Sequence, residues 1–82
     1  MELTIRVKMQ GALMTREAAV IAQKMKECRA RVLLKRRDIT VNAKSLMGLV
    51  SLGLRDGMDV TIIAEGTDDA LAAKRMAELL GA

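Results

Sequence analysis

Leu3, Ile5, Val7 and Met9 alternate with Thr4, Arg6 and Lys8, the period-two pattern of a strand with one buried face. Gly11-Ala12-Leu13-Met14 breaks the alternation and reads as a loop leading to a helix. Ala18, Ile21, Ala22, Met25 and Cys28 then recur at helical spacing, with Gln23, Lys24 and Glu27 off the stripe. Cys28 falls on that stripe and reads as a small core residue. Residues 30–35 and 39–42 are strand-like runs around Arg36-Arg37-Asp38. The short polar connection predicts an antiparallel hairpin, although no Asn-Gly or Asp-Gly marks it. Val32 and Leu34 share one face, and Ile39 and Val41 share another.

Ser45 stands before Leu46-Met47-Gly48-Leu49-Val50, and a serine hydroxyl accepts an otherwise unpaired N–H of a first helical turn. With Gly53 as a stop, the spacing predicts a short helix near 46–52. Arg55-Asp56-Gly57 reads as a turn, and Val60, Ile62 and Ala64 alternate with Thr61, Ile63 and Glu65 as a fourth strand. Thr67-Asp68-Asp69 supplies a cap candidate and acidic residues for a last helix. Ala72, Ala73, Met76, Leu79 and Leu80 form its apolar side, and Gly81 ends it.

The order is βαββαβα, an α+β class expected as a single domain over residues 1–82. Strands without an intervening helix pair as hairpins, so the four-stranded sheet should be largely antiparallel. The helices should cover one face. Thr4, Arg6, Lys8, Thr61 and Glu65 would line the other face, toward solvent.

Composition removes several kinds of chemistry. The 82 residues are 51% apolar, with no aromatic residue and no proline, so aliphatic side chains and methionine must build the core. Area scaling gives roughly 4,800 Å² of folded surface, which leaves room for one modest core. The chain has no histidine and one cysteine. Ser-His-Asp and Cys-His catalysis, histidine phosphorylation, an internal disulfide framework and a cysteine-based zinc site are therefore excluded. No enzymatic activity, metal or cofactor is expected. No apolar run approaches the ~20 residues of a membrane span, and Met1-Glu2-Leu3-Thr4 shows no signal-peptide pattern, so none is expected. A cytoplasmic location is the expectation.

Charge is uneven. Residues 1–54 hold 11 Lys/Arg against 4 Asp/Glu, and residues 55–82 hold 3 against 6, which matches the net charge of +4. Basic character invites a nucleic-acid reading. The missing aromatics leave no base-stacking platform, and the cations form no long stripe, so the reading preferred is a solvated face that steers an acidic protein. Lys35, Arg36 and Arg37 are expected to form an exposed basic hairpin tip.

From Val41 to Leu54 the chain reads Val-Asn-Ala-Lys-Ser-Leu-Met-Gly-Leu-Val-Ser-Leu-Gly-Leu. This stretch strongly resembles HPr, the small phosphocarrier of the bacterial sugar phosphotransferase system. The resemblance spans residues 2–80 without an obvious gap. It implies an open-faced sandwich of four antiparallel strands and three helices. HPr's active loop reads Gly-Leu-His-Thr-Arg-Pro-Ala, and its histidine carries the phosphoryl group. The matching stretch here is Ala12-Leu13-Met14-Thr15-Arg16-Glu17-Ala18. Met14 stands in place of the histidine and Glu17 in place of the proline, while Leu13, Thr15, Arg16 and Ala18 match.

A thioether has no nitrogen that can form a phosphoramidate. Glu17 also adds a negative charge to the first turn, worth about 0.3–1 kcal/mol to the helix, and that charge repels an incoming phosphoryl group. Arg16 is then a solvated side chain or a partner contact. Around Ser45 the motif is intact. In Gram-positive relatives the matching serine is phosphorylated by a dedicated kinase, and catabolite-repression HPr-like proteins keep this serine while lacking the histidine. Lys44 adds a neighbouring cation. Lys44, Leu46, Met47 and Val50 are candidates for partner docking, since a helix this apolar cannot bury every side. The resemblance implies protein partners akin to enzyme I, HPr kinase or transcription regulators. The reading preferred is a regulatory or adaptor module. A phosphocarrier component with its histidine replaced and a non-catalytic remnant scaffold are the alternatives, ahead of a basic nucleic-acid-binding domain.

Overall fold

Alternating strands build one core only when their apolar sides fall in register. The computed structural model describes residues 1–82. The elements are β1 (Glu2–Arg6), α1 (Thr15–Met25), β2 (Arg31–Arg36), β3 (Ile39–Asn42), α2 (Leu46–Leu52), β4 (Asp59–Glu65) and α3 (Asp69–Leu79). The strands form one antiparallel sheet in the order β1-β4-β2-β3. Leu3, Ile62, Leu34 and Val41 lie side by side across all four strands, on the face that the helices cover. Thr4, Thr61, Lys35 and Thr40 make the adjacent row on the open face, where the Thr4 and Thr61 hydroxyls sit 2.9 Å apart. This is the expected open-faced α+β sandwich.

Helix α3 lies on β4, α2 lies on β3, and α1 rests on α2 and α3. All 21 buried residues are apolar, so the core between the layers is held by apolar burial. The accessible surface of 5020 Å² is close to the scaling value.

Four local expectations change. First, β1 stops at Arg6 and does not run to Met9. The ladder runs out because β4 begins at Asp59. The Val7 N–H donates to the Met58 carbonyl, and Lys8 then turns toward the C-terminus, its N–H donating to the Leu80 carbonyl at 2.9 Å. A Cβ at Gly81 would run into the Lys8 carbonyl, so this junction requires glycine. Second, α1 ends at Met25, and Cys28 is buried in the turn beyond it. Third, Ile39 and Val41 lie on the same sheet face as Val32 and Leu34, since Val41 is opposite Leu34. Arg37 makes the tight connection with φ of 58°, which is strained for a residue other than glycine.

The fourth change concerns Asp68. Its side chain makes no cap bond to α3. Its two oxygens instead accept from the N–H groups of Arg29 at 2.8 Å and Ala30 at 2.7 Å, clamping the turn after α1 to the start of α3. The Arg29 N–H is the largest cause that holds this carboxyl below its ordinary value. Partial desolvation opposes it, and the Ala30 N–H and Lys44 assist it.

Candidate functional site

Two helix entrances frame the candidate site. Helix α1 is entered through Met14, which is extended at φ −94° and ψ 168°. Its side chain is 63% exposed. The Glu17 carboxylate reaches back and accepts the Met14 N–H at 3.3 Å, one half of a capping box. Thr15, Arg16 and Glu17 are exposed, and Arg16 makes no ion pair. The loop is moored just beyond α2. Leu13 N–H donates to the Leu54 carbonyl at 2.9 Å, and Ala12 bridges to Arg55.

Helix α2 is entered through Ser45, also extended, whose Oγ accepts the Gly48 N–H at 3.1 Å. The expected serine cap is therefore present. A side chain at Gly48 would come within 3.2 Å of the Asn42 carbonyl and 3.3 Å of the Val41 Cβ, so its absence lets α2 press onto β3. Leu49 and Leu52 point into the core. Leu46, Met47 and Val50 remain exposed, with Met47 at 76%. The spacing i, i+1, i+4 puts these three on one side of the helix. Ser45 lies at the start of this apolar strip, and the Met14 loop is tied to the far end of α2.

Lys44 also has a structural partner that its place in the sequence did not show. Its ammonium donates to the Cys28 carbonyl at 2.7 Å, which satisfies backbone left free at the end of α1. It is a half-buried tie between α1 and α2, and only its remaining N–H groups are free for a partner. Arg36 departs from the exposed tip. It lies on the helix-covered face, and its Nε donates to the Leu52 carbonyl at 3.2 Å. A cation thus closes the C-terminal end of α2, where the helix dipole favours it. Lys35 and Arg37 are exposed as expected.

A shallow apolar groove of about 580 Å³ runs between α1 and α3, lined by Met9, Leu13, Val20 and Leu79 with Arg16 and Glu17 at its edge. Val20 was the readable signal for it, an apolar residue off the buried stripe of α1. No cluster of side chains could hold a metal ion, and no helix is long and apolar enough to cross a membrane.

The fold and site define a class: a small open-faced sandwich with two helix entrances on show, one lacking a histidine and the other capped by a serine. The family model for the PTS HPr component phosphorylation site matches residues 1–82. The chain belongs to the HPr family. It is 37% identical over 73 residues to the HPr-like protein Crh of Bacillus subtilis, covering 89% of this chain and 86% of that protein. A phosphocarrier protein HPr from Bacillus anthracis matches with a TM-score of 0.92 at 31% identity, covering 98% of this chain and 95% of that one. The crystal structure of Bacillus subtilis Crh, described as a swapping-domain dimer, matches with a TM-score of 0.79 at 36% identity. It covers 93% of this chain and 87% of that one.

Proposed function

We infer that this HPr-family chain is a non-enzymatic, cytoplasmic regulatory or adaptor protein. It works by docking other proteins and carries its regulatory phosphate on Ser45. The observation that carries the reading is the pairing of an exposed apolar strip, Leu46, Met47 and Val50, with an intact serine cap at its start. Met14, Thr15 and Arg16 extend the docking surface beyond the far end of α2. No residue of the chain can hold phosphate as phosphohistidine, because the chain has no histidine.

Phosphate on Ser45 would add about −1.5 to −2 charge beside the apolar strip. The first turn of α2 contains no acidic residue to oppose it, and Lys44 stands next to it. Docking to acidic partners weakens and docking to arginine-bearing partners strengthens. The test is incubation with an HPr-type kinase and ATP, read by mass spectrometry, with an HPr as positive control. The expected result is one phosphate on Ser45, absent from Ser45→Ala. A phosphorylated HPr control beside an unmodified wild type would overturn the regulatory reading and leave the remnant scaffold in the lead.

A further inference from the structure

Oxidation in water falls on side chains with an accessible, electron-rich atom: thiols, thioethers, and the rings of tryptophan, tyrosine and histidine. This chain has no tryptophan, tyrosine or histidine. Its one thiol, Cys28, is buried in the turn after α1. The thioether is therefore the only exposed oxidisable group. Of the seven methionines, Met25 and Met76 are fully buried, and Met9 and Met58 are half-buried. Met1, Met14 and Met47 are exposed, at 56%, 63% and 76%.

Two of those three sulfurs lie on the surface proposed to dock partners. Met47 is the most exposed member of the apolar strip on α2. Met14 enters α1 on the loop moored beyond the far end of α2. Met1 is elsewhere, just before β1, where its ammonium donates to the Ala64 carbonyl at 2.7 Å. Strand β1 is one edge of the sheet, and α2 lies on β3, the other edge. Met1 thus shows what oxidation does away from the docking surface.

Methionine suits an adaptable apolar contact because its thioether is unbranched, soft and weakly polar. Peroxide changes that. The sulfur lone pair attacks one peroxide oxygen. An S–O bond forms as the O–O bond breaks, and the departing hydroxide takes the remaining proton and leaves as water. Sulfur loses two electrons, and the peroxide gains them. The sulfoxide is a strong hydrogen-bond acceptor, and a partner that covers it without a donor leaves it unsatisfied. At Met14 the new acceptor lies at the first turn of α1, whose free N–H groups the thioether does not cap. Neither side chain belongs to the core, so oxidation leaves the fold intact while it makes the surface polar.

We propose that Met14 and Met47 are a reversible oxidation switch through which peroxide turns the docking surface from apolar to polar, an inference that rests on the docking role of Leu46, Met47 and Val50. A methionine sulfoxide reductase reverses it. The S–O bond breaks, the oxygen leaves as water, and two thiols of the reductase become a disulfide. The sulfoxide is neutral. Its effect therefore does not change sign with the partner's charge, as that of a phosphate on Ser45 does.

Limiting hydrogen peroxide followed by peptide mass spectrometry maps the sites. Met1, Met14 and Met47 should oxidise first, and Met25, Met76 and Cys28 last. Circular dichroism and the urea midpoint should be unchanged while only the first three carry oxygen. Retention on a phenyl column reads the surface itself: the oxidised wild type should elute earlier, and treatment with the reductase should restore its retention. The oxidised protein should also take phosphate from an HPr-type kinase and ATP roughly fivefold more slowly or worse, since the kinase must cover an unmatched acceptor. The double variant Met14→Leu with Met47→Leu, compared with itself before and after peroxide, should change in neither readout although Met1 still oxidises. Indiscriminate oxidation of all seven methionines overturns the proposal. So does an unchanged retention or kinase rate in the oxidised wild type, or a double variant that responds as the wild type does. An unoxidised protein that takes no phosphate defeats the Ser45 reading alone, and the site map and the column then decide the switch.

Discussion

At the entrance to α1 the oxygen that meets free backbone belongs to a carboxylate, Glu17; at the entrance to α2 it belongs to a hydroxyl, Ser45. A helix N-terminus carries partial positive charge and unpaired N–H groups, and both entrances satisfy part of that demand from within. Glu17 does so with a permanent negative charge, beside a thioether that cannot accept a phosphoryl group. Ser45 does so with a neutral group that can be esterified, in a first turn free of acid. One entrance is closed to phosphohistidine chemistry by its missing histidine and carries a charge that opposes a phosphoryl group. The other carries no such charge.

The largest effect that would break this contrast is the return of phosphoryl acceptance to α1. The wild type should take no acid-labile phosphate from phosphoenolpyruvate through enzyme I. Met14→His should accept weakly, and Met14→His with Glu17→Pro should accept more, because the second change removes the resident anion. Labelled phosphoenolpyruvate and gel autoradiography read this directly. Full family-like acceptance by the single variant would show that Glu17 is no obstacle.

A smaller effect sharpens the other side. Ser45→Ala removes the only side-chain cap of α2 and should lower stability by about 0.5–2 kcal/mol in urea titration. Ser45→Asp restores a capping oxygen and should recover most of that loss. It should imitate the phosphate poorly in partner binding, having less charge and fewer acceptor oxygens. A neutral Ser45→Ala would mean that packing of Leu49 and Leu52 alone holds the helix. The serine would then have no structural reason to be there.

The difference between local and distant contacts explains what could be read in the sequence. Helix α2 was legible to the residue: Ser45, the apolar run and Gly53 predicted 46–52, and the helix spans Leu46–Leu52. Capping acts within one turn, so its signal is local. The exposed strip followed from the same short segment. The roles of Asp68, Lys44 and Arg36 were hidden, because each reaches a backbone group at least 16 residues away. Nothing in the spacing of a lysine reveals whether its ammonium meets solvent or a carbonyl at the end of another helix. The end of β1 was misplaced for a similar reason. Alternation continues through Met9, but a strand lasts only as long as its partner, and the partner starts at Asp59.

The smallest effect concerns how Glu17 acts. Its hydrogen bond to the Met14 N–H is 3.3 Å long, at the weak end for such a bond. Its charge sits in the first turn of α1, where a carboxylate contributes about 0.3–1 kcal/mol at low ionic strength. If the charge dominates, Glu17→Gln, which keeps an acceptor oxygen at the same reach, should lose nearly as much stability as Glu17→Ala. Both losses should shrink as salt is raised toward 1 M, where the screening length falls to about 3 Å. If the bond dominates, Gln should behave as wild type, Ala should not, and salt should leave the difference unchanged. Urea titrations of the three proteins at low and high salt decide between these. The answer bears on the α1 entrance directly, because only a charge repels an incoming phosphoryl group, while a hydrogen bond merely occupies the Met14 N–H.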